Sequence, residues 1–257
     1  TTGGSNKISI ETGGIEATRD EKPVGINNTG GSTETFVMKG TTITTNGYKG
    51  YGVFSSGGLN ETIIDGTIET SGELSHAISV SGGENKTTLS GSIITEGKNA
   101  RGIVNNRANN ETTITETGSI ETAGTGSTGI RQSYDAEALT ENILTVEGSI
   151  STKGKNARGI SNETNGNKTT VSGSISTQGE TAYGIYNFGD SNTTTISAGT
   201  LDGSNITTSG AGAHGIYNEG QSNVTTISAG GSIATTGIGA SGIANSGNSN
   251  KTDVAGS

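Results

Sequence analysis

A small set of aromatic and cationic side chains is the part of this 257-residue sequence best suited to recognising a ligand. Each stands one position before, or two positions after, the glycine of a recurring Gly-Ile or Gly-Val dipeptide. Tyr and Arg are favoured at recognition surfaces, and flat aromatic rings suit sugars. The set predicts a partner-binding surface, although stacking from one repeat to the next would also explain it. Its members are Tyr51, Phe54, Arg101, Arg158, Tyr183, Tyr186, His214 and Tyr217.

A second recurring group is the tripeptide Asn-x-Thr, found eight residues after the same anchor dipeptide. This tripeptide is the acceptor motif for N-linked glycosylation, so its asparagines are candidate modification sites. An asparagine at a fixed turn position is also explained by turn capping alone. The asparagines concerned are Asn60, Asn85, Asn110, Asn167, Asn192, Asn223 and Asn250.

Residues suited to catalysis or metal binding do not cluster in the sequence. Cys is absent, which excludes disulfides and thiolate metal sites. His76 and His214 fall in repeats about 24 Å apart if the repeats stack as strands, too far to share a metal. Asp135 and Glu137 are the nearest approach to a carboxylate pair, and their inserted loop is also typical of a solvated turn. We therefore predict no catalytic residue, no metal and no cofactor.

The composition restricts both the fold and the partners. Gly accounts for 45 residues and hydrophobic residues for 27%, too few for one large apolar core in a chain of this length. The net charge of −9 argues against nucleic acid and anionic membranes as partners. No apolar run is long enough for a transmembrane helix, so we expect no direct membrane insertion of this segment.

The elements that must position these residues come from a repeat of 25–31 residues. Each copy has three apolar positions, for example Ile160, Val171 and Ile175, and polar and apolar residues alternate around them as in half-buried strands. The spacing predicts an all-β, right-handed parallel β-helix with three short strands in each of about nine rungs. We interpret residues 1–257 as one solenoid segment, a fragment of a longer chain. Its rungs start near residues 25, 52, 77, 102, 129, 159, 184, 215 and 242.

Three further positions recur around these strands. A threonine two residues after the third apolar position, such as Thr177, is expected to point inward with its hydroxyl on turn backbone. A glycine two residues later, such as Gly179, is expected to require a positive φ. An asparagine two residues after the first-strand Ile or Val predicts an internal ladder; it occurs at Asn28, Asn105, Asn162, Asn187, Asn218 and Asn245.

Pairs of Thr or Ser flank the second apolar position, as in Thr88/Ser90 and Thr113/Thr115. Regular Thr-x-Thr arrays on a flat solenoid face are a shared feature of ice-binding proteins. The array is interrupted, and ordinary strand propensity on a solvated face would also produce it.

The recurring pattern G-S-I-x-T-x-G-x-x-A-x-G-I, at 91–103, 148–160 and 173–185, resembles the passenger repeats of type V autotransporters of Gram-negative bacteria. That resemblance implies a right-handed parallel β-helix exported across the outer membrane. The family includes adhesins, aggregation factors, proteases and toxins. The absence of Cys is consistent with passage through the periplasm in an unfolded state.

The resulting hypothesis is a non-enzymatic adhesin or structural stalk, extracellular or on the bacterial surface. Its partner would be a protein or glycan of a host or neighbouring cell, and self-association is possible. The contacts would come from the aromatic and cationic set and from the insertions at 131–138 and 197–205. The alternatives are a secreted effector with one host receptor, an ice-binding solenoid, and a polysaccharide-active enzyme using Asp135 and Glu137.

Overall fold

The computed structural model describes residues 6–133, 141–199 and 205–255, and these residues form strands and turns without a helix. The strands make three parallel sheets, and the chain visits the sheets in turn, once per rung. Each strand pairs with its counterparts in the preceding and following rungs, except that the first and last strand of each sheet pair on one side. The prediction of an all-β parallel solenoid with three strands per rung and about nine turns is confirmed. No helix in the described ranges is available to cross a membrane.

The first sheet holds the anchor dipeptides. Its strands are β3 Val24–Asn28, β6 Tyr51–Ser55, β9 His76–Val80, β12 Arg101–Asn105, β15 Thr128–Gln132, β18 Arg158–Asn162, β21 Tyr183–Asn187, β24 Ile216–Asn218 and β27 Ile243–Asn245.

The second sheet has ten strands. They are β1 Asn6–Ile10, β4 Thr33–Val37, β7 Glu61–Ile64, β10 Lys86–Leu89, β13 Glu111–Ile114, β16 Ile143–Val146, β19 Lys168–Val171, β22 Thr193–Ile196, β25 Val224–Ile227 and β28 Lys251–Val254.

The third sheet completes each rung. Its strands are β2 Gly14–Glu21, β5 Thr42–Tyr48, β8 Thr67–Thr70, β11 Ser92–Thr95, β14 Ser119–Thr122, β17 Ser149–Thr152, β20 Ser174–Thr177, β23 Ile206–Thr208 and β26 Ile233–Thr235.

The core is a set of aliphatic columns enclosed by the three sheets. Ile64, Leu89 and Ile114 are stacked in register in the second sheet and are fully buried. The register continues through Val146 after the long insertion, as the sequence predicts. Burying one such side chain contributes about 1.5–3 kcal/mol, and a short strand gains this only when both neighbouring rungs cover it.

The threonine column of the third sheet points inward, as predicted, and Thr95, Thr152 and Thr177 are buried. The expectation for their hydroxyls is confirmed only in part. The Thr208 hydroxyl donates to the carbonyl of Ala213 at 2.9 Å, but those of Thr95 and Thr152 have no hydrogen-bond partner. Packing of β-branched side chains therefore accounts for this column better than hydrogen bonding.

The glycine two residues after the column threonine has the predicted positive φ at Gly47, with φ of 146°, but its role in the later rungs is different. Gly179 does not have a positive φ; a Cβ there would lie 1.9 Å from the carbonyl oxygen of Gly154, one rung earlier. The same clash recurs at Gly97 and Gly210. These glycines are required because adjacent rungs approach too closely for any side chain.

The left-handed backbone lies two residues further along the same turn. Asn99, Asn156 and Thr181 occupy it with φ of 53°, 57° and 51°. Asparagine tolerates this region better than most residues. The turn therefore uses glycine for space at one position and left-handed geometry at another.

We expect Gly179→Ala to lower the free energy of unfolding by about 1–3 kcal/mol, because the added methyl group must push two rungs apart. The matched control is Gly212→Asn, at the left-handed position with φ of 63°, where a Cβ would lie 3.5 Å from Cγ2 of Thr181. The control should change stability by no more than about 0.5 kcal/mol. Urea unfolding followed by circular dichroism measures both. Equal losses in the two variants would contradict the assignment of the close approach to Gly179.

Two internal asparagine ladders fix the turn between the first and second sheets. In the predicted ladder, Asn162, Asn187 and Asn218 each donate from Nδ2 to Oδ1 of the next member at 2.7 Å. Each also donates to a threonine hydroxyl seven residues later, for example Asn187 to Thr194 at 3.2 Å. The predicted ladder is therefore continuous from Asn162 to Asn245. Ser55 and Val80 stand between Asn28 and Asn105, and Gln132, whose amide is buried without a partner among the described residues, stands between Asn105 and Asn162.

The Asn-x-Thr asparagines form the second ladder. Oδ1 of Asn192 accepts the backbone N–H of Asn167 at 2.8 Å, and its Nδ2 donates to the carbonyl of Gly189 at 2.8 Å. The same inter-rung bond joins Asn60 to Asn85, and Asn192 to Asn223. Each amide therefore satisfies a backbone donor that a strand ladder would leave unpaired at the corner.

Asn192→Asp tests the second ladder. At pH 7 the variant should lose about 3 kcal/mol of unfolding free energy, because a buried carboxylate replaces an amide that donates. Burial raises the pKa of such a carboxyl above its unfolded value of about 3.9, so the loss should shrink as the pH falls toward 3.

The control for this variant is Asn156→Asp, an exposed asparagine in the middle of the solenoid. Its stability should stay within about 0.5 kcal/mol of the parent at both pH values. Chemical unfolding at pH 7 and pH 3 provides the comparison. A loss for Asn192→Asp that does not depend on pH would show that the buried amide is not the cause.

Candidate binding face of the first sheet

The predicted aromatic and cationic residues lie on the outer face of the first sheet, in two parallel rows. The front row passes through the residue before the anchor glycine, and the back row through the residue after the anchor Ile or Val. Rung by rung, the front row is Tyr51, His76, Arg101, Thr128, Arg158 and Tyr183, with His214 at the equivalent place in the next rung. The back row is Phe54, Ser79, Val104, Arg131, Ser161, Tyr186, Tyr217 and Ala244.

The anchor dipeptide itself produces this arrangement. In Gly184-Ile185, the isoleucine is fully buried. A Cβ on Gly184 would lie 2.5 Å from Cγ2 of Ile206 in the third sheet, so the glycine also faces the interior. Two successive residues thus face inward, and the residues on either side of the pair face outward.

The structure divides the predicted surface into three parts. An aromatic group occupies the N-terminal rungs, an arginine group the central rungs and a larger aromatic group the C-terminal rungs. We refer to the central part, Arg101, Arg131, Arg158 and Glu163, as the arginine centre.

The N-terminal aromatic group is held by ring contacts. The centroids of Tyr51 and Phe54 are 5.2 Å apart, and those of Tyr51 and His76 are 5.6 Å apart with an edge-on geometry. An Arg101 nitrogen lies 3.3 Å from Nε2 of His76. Since guanidinium can only donate, His76 must accept there as a neutral imidazole.

The C-terminal aromatic group is a continuous stack over two rungs. Tyr183 lies 5.6 Å from His214 and 5.1 Å from Tyr217, centroid to centroid, and Tyr186 lies 5.8 Å from Tyr217. The Tyr186 hydroxyl donates to Oε2 of Glu219 at 2.5 Å. Rings at these separations gain offset-stacking energy, so part of this group stabilises the pairing of β21 with β24.

The arginine centre connects the two aromatic groups. Arg131 donates to Oε2 of Glu163 from Nε at 2.8 Å and from a terminal nitrogen at 2.5 Å. Arg158 lies 3.6 Å from the other Glu163 oxygen, and its guanidinium carbon is 3.9 Å from the Tyr186 ring centroid. Ser161 donates to Glu163 at 3.2 Å. One carboxylate therefore organises two arginines from adjacent rungs.

Burial and the crowding of positive charge shift the pKa values of the groups in and beside the centre. Burial, and then the charge of Arg101, lower the pKa of His76 to about 4, so the imidazole is neutral at pH 7. Burial, and then Arg131, lower the pKa of Arg101 to about 10. Burial alone would raise the pKa of Glu163, but the hydrogen bond and charge of Arg131 outweigh it, and the pKa is lowered.

Five aromatic or charged members of this face were absent from the predicted binding surface: His76, Arg131, Glu163, Phe188 and Glu219. Arg131 stands two positions after Gly129, the same spacing as Phe54, so the repeat alone could have identified it. Glu163 and Glu219 stand four positions after their anchor glycines, in the turn that follows the strand. Phe188 extends the C-terminal group and is 52% exposed.

The predicted glycosylation sites are placed inside the solenoid. Asn60, Asn85, Asn110, Asn167, Asn192 and Asn223 are at most 2% exposed, and Asn250 near the open end is half-buried. A glycan requires its amide nitrogen in solvent, whereas the Asn110 and Asn167 nitrogens donate to turn carbonyls. The packing argues against modification and supports the turn-capping alternative.

The remaining candidates add little to the face. Asp135 and Glu137 lie outside the described residues, as do most of the insertions at 131–138 and 197–205. Within the described ranges, no three His, Asp or Glu side chains converge as metal ligands would.

On the second sheet, one outward row consists of Thr88, Thr113, Thr145, Thr170, Thr195 and Thr226, but Glu147 interrupts the Ser/Thr row beside it.

Comparisons with protein-family models, with curated proteins and with solved structures gave no match. The functional evidence is therefore the geometry of the chain itself: a parallel β-solenoid with one outer face of aromatic side chains and arginines.

Proposed function

We propose that this chain is a non-enzymatic adhesive rod that contacts a host or neighbouring cell through the outer face of the first sheet. The observation that carries the proposal is the unusual composition of that face. It takes three of the five arginines and five of the nine Tyr and Phe residues of the sequence into two adjacent rows. From Tyr51 to His214 the front row extends for about 29 Å at the usual spacing of paired strands.

A row of this kind suits many weak contacts on a rigid support. The strands beneath it are fixed by pairing on both sides, and ring and ion-pair contacts hold side chains such as Tyr183 and Arg131 in place before binding. Repeated contacts along one rod give avidity that no single contact would provide. A protein or glycan at a cell surface is the partner that presents such contacts in repeated form.

The cellular setting is part of the proposal. The G-S-I-x-T-x-G-x-x-A-x-G-I repeats resemble autotransporter passengers, and the absence of Cys is consistent with export through the periplasm. We therefore place the chain outside the cell or on the surface of a Gram-negative bacterium, as part of an exported β-helix.

Adhesion of coated beads to cells tests this function. The face variant Tyr183→Ser/His214→Ser/Tyr217→Ser removes the half-buried rings of the C-terminal group. It should lower the number of beads retained on cells at least tenfold. Many chains hold each bead, so a ring lost from every chain weakens every contact at once. The control is Phe36→Ser/Tyr48→Ser, which removes two aromatic side chains from the other two sheets and should retain beads as the parent does.

Thermal unfolding must show that the face variant remains folded, since stacked pairs contribute about 0.5–1.5 kcal/mol each. Equal adhesion of face and control variants would refute the proposed role of this face. The multivalent mechanism predicts a higher apparent affinity for coated beads than for the soluble chain. Saturable binding of the soluble chain with the same affinity as the beads would indicate a single receptor and refute that mechanism.

A further inference from the structure

We infer that the arginine centre binds an acidic saccharide, with a carboxylate or sulfate group held between Arg101 and Arg158. The inference rests on the proposed function, since it names the ligand class of the same face. Three features support it: the excess of positive charge in the centre, the guanidinium N–H groups available to a ligand, and the distance between Arg101 and Arg158.

The charge of the centre is unbalanced. Three arginines lie on three consecutive rungs of a chain whose net charge is −9. Among the described residues, Glu163 is the carboxylate within ion-pair distance of these arginines, and it contacts Arg131 and Arg158. Within the described part of the chain, one carboxylate thus faces three arginines, and partial burial makes the excess positive charge more costly than it would be in water. Burial, and then the charge of Arg131, lower the pKa of Arg101.

Each guanidinium is held in place with donors to spare. Arg101 is oriented by neutral His76, and Arg158 by the Tyr186 ring and by Ser161 at 3.3 Å. An arginine has five N–H donors in a fixed fork, and these contacts use few of them. A fork of this kind matches the two oxygens of a carboxylate or sulfate.

Arg101 and Arg158 are separated by one rung, and the residue between them is short. Thr128 stands between Arg101 and Arg158 in the front row and is buried beneath them. Two strand spacings separate the arginine Cα atoms by about 9.6 Å, and the intervening residue is short. An anion that lies across both guanidinium groups could therefore receive donors from each of them.

The aromatic groups on either side favour a saccharide over other anions. Tyr51 and Tyr183 lie in the same row as the arginines, one on each side. A pyranose combines an apolar face, which suits aromatic rings, with hydroxyls that hydrogen-bond to polar side chains. A chain of such rings along the row would bring its acidic substituent to the centre.

The test uses the full chain and pairs of oligosaccharides that differ only in charge. One pair is an oligogalacturonate and its methyl ester, and the other is a sulfated oligosaccharide and its desulfated form. Isothermal titration calorimetry should show each acidic member binding at least tenfold more tightly than its neutral partner. Raising the NaCl concentration from 50 to 300 mM should weaken the acidic member, because the contact is ionic.

Arg101→Gln/Arg158→Gln should raise the Kd of the acidic member at least tenfold. The matched control is Lys98→Gln/Lys155→Gln, which removes the same charge from exposed turn positions beside the sheet and should change the Kd less than twofold. Arg101→Lys should bind with intermediate affinity, because it keeps the charge and loses the fork. Circular dichroism and thermal unfolding establish that each variant is folded.

Equal affinity for charged and neutral members, or an equal loss in the control, would overturn the inference. Tighter binding of a poly-glutamate peptide than of either acidic saccharide would also overturn it. If beads adhere to cells but acidic saccharides do not bind, this inference alone fails. If acidic saccharides bind but beads do not adhere, the site stands and the adhesive function fails.

Discussion

The whole structure depends on parallel pairing of each strand with its equivalent one rung away. That pairing sets a repeat of about 4.8 Å, so every side chain lies directly against its counterpart in the next rung. Each position therefore favours residue types that can stack on copies of themselves. Isoleucine fills the core in this way, asparagine amides form chains of donors and acceptors, and glycine remains where two turn backbones nearly touch. The outer face of the first sheet follows the same constraint with rings and guanidinium groups.

Most of the fold could be predicted because residues that stack on their counterparts recur at the same position of every repeat. The apolar columns, such as Ile93, Ile120 and Ile150, appear as strict alternation and identify both the strands and their register. The inward threonines and the first asparagine ladder follow from the same alternation. Even the register of Val146 survives the long insertion, because the insertion lies in a turn and the strands on either side keep their partners.

The roles of the turn residues could not be predicted, because they depend on how closely neighbouring rungs approach. Gly179 has the sequence context of a left-handed turn residue, yet its constraint is the Gly154 carbonyl one rung away. The left-handed backbone is at Thr181, where the local sequence gives no sign of it, although Asn99, Asn156 and Gly212 at the same position of other rungs do. The Asn-x-Thr motif was ambiguous for the same reason: the motif is local, but the burial of its amide depends on the next rung.

Stacking between rungs does not by itself explain the residue types on the outer face of the first sheet. Serine, threonine and charged side chains stack adequately on the outer faces of the other two sheets. Arg131 and Arg158 would be expected to repel each other across adjacent rungs, and Glu163 reduces that repulsion without neutralising the arginine centre. Stability alone would favour a neutral pair or a second carboxylate there. Among the described residues the arginine centre keeps an excess of positive charge flanked by aromatic rings, and the proposed recognition of an anionic partner would account for it.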